Sequence, residues 1–362
     1  MQIYIFNKEL NRLGLIDSFD SLIWNRKSQE VGDFELHCPL NGKTLELLKE
    51  GNIICKSNDL TECAYIENIY LDEEIEETIK VVGKFISGYM GKRIIWNTEN
   101  INTTVENAMY YLVSKNCIDT EPNRVIPMFK IDNSKGYTDK IKYQVSYKVL
   151  EDEIVKLAKE KDLNFKVTTD IENKIHTFKV IKGIDRTVNQ NTNSFCIFSK
   201  EFDNIHQQLY SNEVDDFKNV ALIGGEGQGS ERKFITIGSE AIGLDRNELY
   251  VDADDIQSKI DEETSIPESD YLDLLKQRGL IKLDEHKRVE CFSTTINVND
   301  SNLVYKKDFD LGDYVTCVNK KWKKVIDVKI TEIQEIYEKN NTEVNVTFGN
   351  KVPTIIEKIK RR

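Results

Sequence analysis

The chain has 362 residues, of which 39% are hydrophobic and 31% are charged. This composition supports a buried core, argues against a disordered chain, and at this length suggests about two or three domains. The formal net charge of −12 argues against nucleic-acid binding through neutralisation of the phosphate charges.

The N-terminal run MQIYIFNKEL has no basic region followed by an apolar stretch, so no secretory signal is expected, and no apolar stretch is long enough to span a bilayer. The cysteines are odd in number, scattered, and without C-x-x-C spacing: Cys38, Cys55, Cys63, Cys117, Cys196, Cys291 and Cys317. This pattern favours buried, reduced thiols in a protein made in the cytoplasm over zinc ligands or disulfides.

Residues 1 to about 95 are predicted to be rich in strands. Phe34, Leu36 and Cys38 alternate with Glu35 and His37, and further apolar runs lie at 53–55, 64–71 and 78–82. Short strands separated by turns indicate a small barrel or sandwich. The acidic run at 72–77 is expected to be a solvated hairpin loop, because a metal site would need a more constrained turn.

From about residue 96 to 200 the pattern changes to helices and a hairpin. A helix is predicted over 103–115, where Thr103 and Glu106 form a capping box, and a second over 146–161. A hairpin follows over 163–180, with its turn at 170–174. His176 alternates with apolar residues there, which favours a structural histidine over a catalytic one.

The third region opens with an apolar strand at 220–225, a glycine-rich turn from Gly224 to Gly229, a second strand at 234–237, and a shorter strand beyond it. A glycine-rich turn can serve as a phosphate-binding loop, but this one lacks the pattern of such a loop. The spacing is not G-x-G-x-x-G, no Gly-Lys-Ser/Thr follows, and the next element is a strand rather than a helix. The turn is therefore predicted to be a flexible hairpin tip that contacts a neighbouring subunit.

Beyond this hairpin, a helix is predicted through Tyr271 to Arg278 and is expected to end at Gly279. Strands are predicted at 289–298, 325–331 and 344–348, with a turn at 308–313. The basic end at 360–362 is predicted to be an exposed terminus. The first and last thirds thus share the organisation of a β-barrel-like unit.

No chemical motif stands out. The four histidines, His37, His176, His206 and His286, lie in no metalloprotease or nucleophile-elbow motif. The run from Asp252 to Asp255 is the best metal candidate, but it lacks the pattern of a calcium-binding loop and is predicted to be a polar strand end. No catalytic, cofactor-binding or metal-binding residue is therefore predicted.

Ten short segments, in their order along nearly the whole chain, resemble a family of siphophage tail proteins related to baseplate hub proteins, which also occur in contractile tails and tailocins. The segments are GDFEL at 32–36, PL at 39–40, AYIE at 64–67, 83–93, NVALIGGEG at 219–227 with Arg232, GLDRNEL at 243–249, RG at 278–279, DFDLGD at 308–313, TFG at 347–349 and PT at 353–354.

The resemblance implies an α+β, β-dominated fold with two tail-tube-like β-barrels and an inserted α/β module. Domains are predicted at 1–95, with a strand near 190–205 as a candidate to complete the first barrel, at 96–200, and at 201–362 with a packed helix near 267–279. The implied assembly is a homotrimer that forms a pseudo-six-fold ring between a six-fold tail tube and a three-fold spike.

The implied partners are the tail tube protein or its terminal ring, the central spike protein and other baseplate proteins, in the baseplate of a virion or tailocin, without cofactor or membrane anchor. DNA would pass the lumen without specific binding, and the net negative charge suggests an acidic lumen. Two alternatives are a tail-associated peptidoglycan hydrolase and a host-surface carbohydrate binder. The end at Arg362 leaves no room for a hydrolase domain after the last strand, and the dispersed tryptophans do not favour a sugar site.

Overall fold

A computed structural model of the chain describes residues 1–73, 77–259, 265–296, 303–339 and 341–349. Residues 74–76 of the predicted acidic loop, the motif at 353–354 and the basic end at 360–362 lie outside the described residues. The N-terminal region contains seven strands and one short helix: β1 Ile3–Phe6, β2 Arg12–Ile16, β3 Ser21–Lys27, β4 Asp33–Pro39, α1 Gly42–Leu47, β5 Ile53–Lys56, β6 Asp59–Asp72 and β7 Thr78–Phe85.

The middle region mixes strands and helices: β8 Glu99–Thr104, α2 Val105–Val113, β9 Phe129–Ile131, β10 Lys140–Val145, α3 Leu150–Glu160, β11 Asn164–Asp170, β12 Ile175–Ile181 and β13 Ile197–Ser199. The last region returns to strands around one long helix: β14 Ile205–Glu213, β15 Val220–Gly224, β16 Phe234–Gly238, β17 Glu248–Asp252, α4 Glu268–Glu285, β18 Val289–Ile296, β19 Tyr314–Asn319, β20 Lys324–Glu338 and β21 Asn341–Gly349.

Both ends of the chain meet in a single sheet of thirteen strands. Its path runs β14-β18-β21-β20-β3-β4-β7-β6-β5-β1-β2, and β19 and β13 branch from β20. The pairing of β20 with β3 is a seam that joins a C-terminal half to an N-terminal half. The predicted α+β class with dominant strands is confirmed, and the described strands form an open path rather than a ring closed by hydrogen bonds.

Each half of this sheet covers its own core. The N-terminal core is centred on Trp24 and Phe34, and the C-terminal core on Phe198, Phe292 and Phe348. The strand expected near 190–205 is β13, and it pairs in parallel with β19, so it adds to the C-terminal half. The domain boundaries at 95 and 200 stay predictions.

The middle region has a third core, in which α2 and α3 pack with the β11–β12 hairpin and the β8–β10 pair, and this core also includes Phe6, Ile53 and Tyr65 of the N-terminal strands. The predicted hairpin is present, with Phe165 opposite Val180. A further small sheet, β16-β15-β17, packs one face against α4. Its β15–β16 pair is the hairpin predicted around the glycine-rich turn, and β17 adds in parallel.

The first long helix begins at Val105, two residues after the predicted start at 103, and its cap lies one residue later than predicted. Thr104, not Thr103, is the N-cap of α2, and its hydroxyl accepts a hydrogen bond from the Asn107 amide at 3.3 Å. Thr103 belongs to the β8–β10 ladder instead. Glu106 is not a capping-box partner, because its carboxylate accepts from the backbone amides of 135–137. The tertiary contact therefore outweighs the local capping pattern.

The prediction that Gly279 ends its helix is wrong, because α4 continues to Glu285. A Cβ on Gly279 would lie 2.7 Å from the terminal methyl carbons of Ile223 and Ile237. The glycine thus lets the middle of α4 lie close to the small sheet. The other predicted helix, 146–161, begins later than expected, at Leu150.

The prediction of reduced thiols is wrong for one pair. Cys55 and Cys63 lie opposite each other on β5 and β6, with their Cα atoms 4.7 Å apart, and form a disulfide. The other five cysteines are buried. A separation of eight residues did not identify the pair, because only the β5–β6 hairpin sets the two side chains face to face.

Candidate assembly interface

The seam between the two halves contains a buried ion pair. Lys56 from the N-terminal half contacts Glu335 from the C-terminal half, and each side chain is 1% exposed. Burial opposes ionisation of Glu335, but the positive charges of Lys56 and Lys306 outweigh it and lower the pKa of this carboxyl to about 2. A buried pair of this kind fixes the relative position of its two partners, because separating them would leave a bare charge in the interior.

Arg26 of β3 extends the same network. Its guanidinium donates to Glu62 at 2.9 Å in the N-terminal half and to Asp310 at 2.7 Å in the C-terminal half. It also donates to the Tyr305 hydroxyl at 2.8 Å, and that hydroxyl donates to Glu335 at 2.8 Å. The two halves are therefore joined by backbone pairing and by a connected set of charged side chains, of which Lys56, Glu335 and Arg26 are buried.

A row of polar side chains crosses the seam on the outer face of the sheet, the face opposite the two cores. Asn345 donates to Gln334 at 3.3 Å, Gln334 donates to Asn25 at 2.9 Å, and Asn25 donates to Asp33 at 2.6 Å. These residues lie directly opposite one another on β21, β20, β3 and β4. The outer face is thus continuous across both halves.

The outer face of the central strands carries more acidic than basic groups. Three lysines of this face, Lys27, Lys80 and Lys84, each pair with a carboxylate. The carboxylates of β21, β20 and β4 that share this face by register are Glu343, Glu332, Glu338, Asp33 and Glu35. Five acids against three paired lysines give the face a net negative charge.

The run of eight strands from β14 to β6 ends in two edges. Among the described strands, β14 pairs on one side only, with β18, and its Leu209 is exposed. At the other end, the pairing of β6 with β5 stops at Tyr65, so residues 68–72 pair only with β7. Ile69 and Leu71 are exposed on this part of β6. Edges with exposed apolar side chains are templates for pairing with another chain.

The glycine-rich turn is anchored rather than a free tip. The Tyr271 hydroxyl accepts from the Glu226 amide at 2.8 Å, and Arg232 donates to the Gly225 carbonyl at 2.8 Å. A Cβ on Gly225 would lie 2.3 Å from the Tyr271 oxygen. Only residues 227–231 at the end of the turn are exposed. Its role as a subunit contact stays a prediction.

The structure gives the acidic run from Asp252 to Asp255 structural partners. Asp252 contacts Arg232, and Asp255 receives two hydrogen bonds from Arg278 of α4, at 2.8 and 3.2 Å. Ala253 between them is buried. Within the described ranges, no cluster of three or more potential metal ligands is found.

His176 borders a cleft of about 650 Å³ that is also lined by Tyr65, Tyr89 and Lys92. Its Nδ1 lies 2.9 Å from the Thr169 hydroxyl, and its ring packs edge-on against Tyr89. Burial lowers the pKa of His176 to about 4, so the imidazole is neutral at pH 7. These contacts fit the structural role predicted from the alternation.

The other histidines lie elsewhere. His37 on β4 contacts Glu35 at 2.7 Å on the outer face, His286 is buried just after α4, and His206 belongs to β14. No helix in the described part of the chain combines the length and apolarity needed to cross a bilayer.

Sequence reasoning missed the residues that organise this interface. Lys56 and Glu335 are 279 positions apart, and no local pattern distinguishes them from other charged residues. One sequence feature indicated that part of β6 extends beyond its partner β5. The largely apolar run at 64–71 is longer than β5, which has only four residues. The exposed loop around Leu244 lies in the GLDRNEL segment at 243–249, whose sequence did not indicate its exposure.

Residues 2–350 match the family described as Siphovirus ReqiPepy6 Gp37-like protein. A search of curated protein sequences finds no match. Among solved structures, the 43 kDa tail protein of prophage MuSo2 from Shewanella oneidensis is similar with a TM-score of 0.57 and 12% identity, over 96% of this chain and 98% of that one.

Two more tail proteins share the fold. The tail protein from Neisseria meningitidis MC58 has a TM-score of 0.58 and 9% identity, over 96% of each chain. The prophage tail protein gp18 from Listeria monocytogenes EGD-e has a TM-score of 0.53 and 13% identity, over 100% of this chain and 98% of that one. At such identities the likeness is one of fold.

Proposed function

Since this chain belongs to the Siphovirus ReqiPepy6 Gp37-like family of tail proteins, we propose that it is a baseplate hub or tail-tip protein that assembles into a ring. The ring is a homotrimer that adapts a six-fold tail tube to a three-fold spike, and it sits in the baseplate with the tube protein, the spike protein and other baseplate proteins around it. The observation that carries the proposal is the eight-strand run in which, among the described strands, β14 pairs on one side only and residues 68–72 of β6 pair only with β7.

The number of strands in this run determines how its two end strands can pair between copies. Every neighbouring pair from β14 to β6 is antiparallel, and the run contains an even number of strands. The first and last strands therefore run in opposite directions. When the outer part of β6 meets β14 of a second copy, the two strands are antiparallel, and the alternation continues across the contact without a break.

A contact between two different edges is heterologous, and it repeats until a ring closes or a filament grows. Each copy brings two sheet halves with separate cores, so three copies present six similar units to a tail tube. Pairing also covers the apolar side chains Ile69 and Leu71, which would otherwise promote aggregation.

In this arrangement the outer face of β21, β20, β3 and β4 becomes the wall of the lumen, because the two cores lie on the other side of these strands. Its surplus of carboxylates repels a passing polyanion such as DNA. Replacing Glu332, Glu338 and Glu343 with lysine is expected to make the ring retain duplex DNA in a salt-dependent manner. Equal DNA retention by the unaltered ring would contradict an acidic, non-adhesive lumen.

The ring is tested by the mass of the protein in solution, with and without its tube protein. Leu71→Lys places a charge on the unpaired part of β6, where the native side chain is 59% exposed, and is expected to convert three-chain particles to single chains. The matched control is Leu13→Lys on β2, the terminal strand at the far end of the sheet, where Leu13 is 46% exposed.

Both substitutions are expected to change the free energy of unfolding by about 0.5 kcal/mol or less, because both side chains are at the surface. A three-chain mass that survives Leu71→Lys, or is lost equally with Leu13→Lys, would refute pairing through β6.

The same mass measurement on a chain that lacks residues 227–230 tests the glycine-rich turn. An unchanged three-chain mass would show that the turn is not part of the interface.

We assign this protein a structural role rather than an enzymatic one. Two side chains that could serve in catalysis have structural partners, Asp255 in Arg278 and the Nδ1 atom of His176 in the Thr169 hydroxyl. A zymogram on purified cell wall separates this role from that of a peptidoglycan hydrolase. A cleared band at the mass of the intact chain would reject the assignment.

A further inference from the structure

Among the described residues, three large apolar side chains stand out by exposure: Leu244 at 102%, Ile242 at 82% and Tyr147 at 71%. They belong to two surfaces that none of the contacts described above explains. We call residues 240–246 the apolar knob. We call the four side chains of Ile94, Trp96, Tyr147 and Val149 the aromatic platform.

The aromatic platform is built on a short antiparallel ladder. Ile94 pairs with Val149, and the Tyr147 amide donates to the Ile95 carbonyl at 2.8 Å. Alternation along the ladder turns Ile95 into the core and leaves Ile94, Trp96, Tyr147 and Val149 exposed. Ile94 and Val149 form the cross-strand pair of this ladder, and Trp96 and Tyr147 are the exposed residues two positions away from them.

Two features hold the platform in an unfavourable, exposed arrangement. Tyr147 has a φ of 56°, in the left-handed region that bulky side chains seldom occupy. The guanidinium of Arg124 stacks 4.6 Å from the ring centre of Trp96 and also donates to the Ile94 carbonyl at 2.7 Å. Exposed tryptophan, tyrosine and arginine side chains in one patch are typical of the centre of a protein interface.

The apolar knob is a projecting loop between β16 and β17. Gly243 has a φ of 58°, and a Cβ there would meet no atom within 4 Å, so the loop stands clear of the rest of the chain. Ile242 and Leu244 flank this glycine. Two exposed aliphatic side chains at a loop tip lower the solubility of a protein unless another surface covers them.

The charges around the two surfaces are opposite. Within two residues of the platform lie Lys92, Arg93 and Lys148, against one acid, Glu151, which pairs with Lys84 at 3.7 Å. The platform is therefore surrounded by net positive charge.

Within two residues of Ile242 and Leu244 lie Glu240, Asp245 and Arg246, and the arginine pairs with Glu248 at 2.6 Å. The knob is therefore surrounded by net negative charge. Opposite signs around two apolar patches favour their association.

The two surfaces lie at opposite ends of β15. The knob is tied to the start of this strand, where Asn219 donates to the Asp245 carbonyl at 2.7 Å. Beyond the other end of β15, the Gln257 amide donates to Gln144 at 2.7 Å, three residues before Tyr147 of the platform. The knob of one copy is therefore directed away from its own platform.

We infer that the apolar knob of one copy of this chain docks on the aromatic platform of the next copy. The contact is heterologous, like the proposed pairing of β6 with β14, and it rests on the proposed ring for its biological setting. Leu244 and Ile242 cover the exposed rings of Trp96 and Tyr147, and Glu240 and Asp245 face the cations around the platform.

Site-directed cross-linking tests this contact. Leu244→Cys and Tyr147→Cys are made as separate chains, mixed, and treated with a short bismaleimide. Native thiols do not interfere, because five cysteines are buried and the other two form a disulfide. A covalent two-chain product is expected in the mixture and in neither variant alone. The matched control is a mixture of Leu13→Cys with Tyr147→Cys, which is expected to give no product.

A second variant tests the charges. Asp245→Lys is expected to lower the yield of cross-linked product at least fivefold, and Lys148→Glu introduced in the platform chain is expected to restore it. No product in the mixture, or product from a single variant, overturns the inference. Quenching of Trp96 fluorescence by a chitin tetrasaccharide, with no cross-link in the mixture, would also overturn it and make the platform a sugar site.

The outcomes separate this contact from the ring itself. A three-chain mass without the cross-link removes the knob contact and leaves the proposed function intact. A cross-link without a closed three-chain particle keeps the contact and rejects the ring.

Discussion

The N-terminal and C-terminal halves of the long sheet occupy equivalent positions on either side of the seam, but different side chains build them. The N-terminal core combines Trp24 and Phe34 with aliphatic residues, and Trp24 donates its ring N–H to Glu62 at 2.9 Å. In the C-terminal core, Phe198 packs against Phe309 and Phe348 with ring centres 5.1 and 5.0 Å apart.

The two halves also differ in where their strands come from and in how these strands pair. The C-terminal half recruits β13 from residues 197–199 in parallel pairing, whereas the N-terminal half is antiparallel throughout. Equivalence between the halves is therefore a property of sheet position and not of sequence. The seam, where β20 meets β3, must hold the two halves in register, and the following predictions test how strongly it does so.

Glu335→Ala is expected to give the largest effect, a loss of about 3–5 kcal/mol in the free energy of unfolding, because it leaves Lys56 buried without its counter-charge. Chemical denaturation measures the loss. The double variant Lys56→Met with Glu335→Leu is expected to recover most of it, since two apolar side chains can replace the pair. A loss below about 1 kcal/mol would mean that the seam does not depend on this pair.

Phe198→Ala is expected to cost about 3–5 kcal/mol by opening a cavity in the C-terminal core. If the seam couples the halves, hydrogen exchange should show the same loss of protection in peptides from β4 and from β21. Leu36→Ala makes the matching cavity in the N-terminal core. Loss confined to the half that carries the substitution would show that the halves unfold separately.

Acid is expected to weaken the seam. The pKa of Glu335 is lowered to about 2 from an ordinary value of 4.5. A depressed carboxyl pKa stabilises the fold above the unfolded value, so this contribution is lost as pH falls from about 4.5 towards about 2. Thermal unfolding between pH 6 and 2 should show a smaller acid decline in the Lys56→Met, Glu335→Leu variant. Parallel declines in the two proteins would contradict this assignment.

Gln334→Ala is expected to give the smallest effect, about 0.5–1.5 kcal/mol, because it interrupts the half-exposed polar row between Asn345 and Asn25. A double-mutant cycle with Asn25→Ala isolates the contribution of the contact across the seam. A coupling energy near zero would show that the contact between Gln334 and Asn25 does not stabilise the seam.

The sequence predicted the features of the fold that depend on neighbouring residues along the chain. Alternation predicted the strands at 325–331 and 344–348, and it predicted the β11–β12 hairpin to within a residue or two at its ends. The same pattern assigned His176 to a sheet. The family resemblance also came from ordered local segments, and the match over residues 2–350 confirms it.

Where local rules compete with distant contacts, sequence reasoning failed. Gly279 was predicted to stop a helix, but close packing on Ile223 and Ile237 keeps it inside α4. Thr103 was predicted to cap α2, but the β8–β10 ladder takes it. Cys55 and Cys63 required knowledge of the β5–β6 register. In each case the deciding partner lies on another element.

By itself, the sequence determined many of the strands, such as those at 325–331 and 344–348, and the resemblance to the family, because both depend on short-range order in the chain. Only the tertiary structure decided that the first and last thirds share one sheet, since the β20–β3 pairing and the Lys56–Glu335 contact join residues 279 positions apart. It also decided which edges and apolar side chains stay uncovered, because exposure depends on everything that packs around a residue.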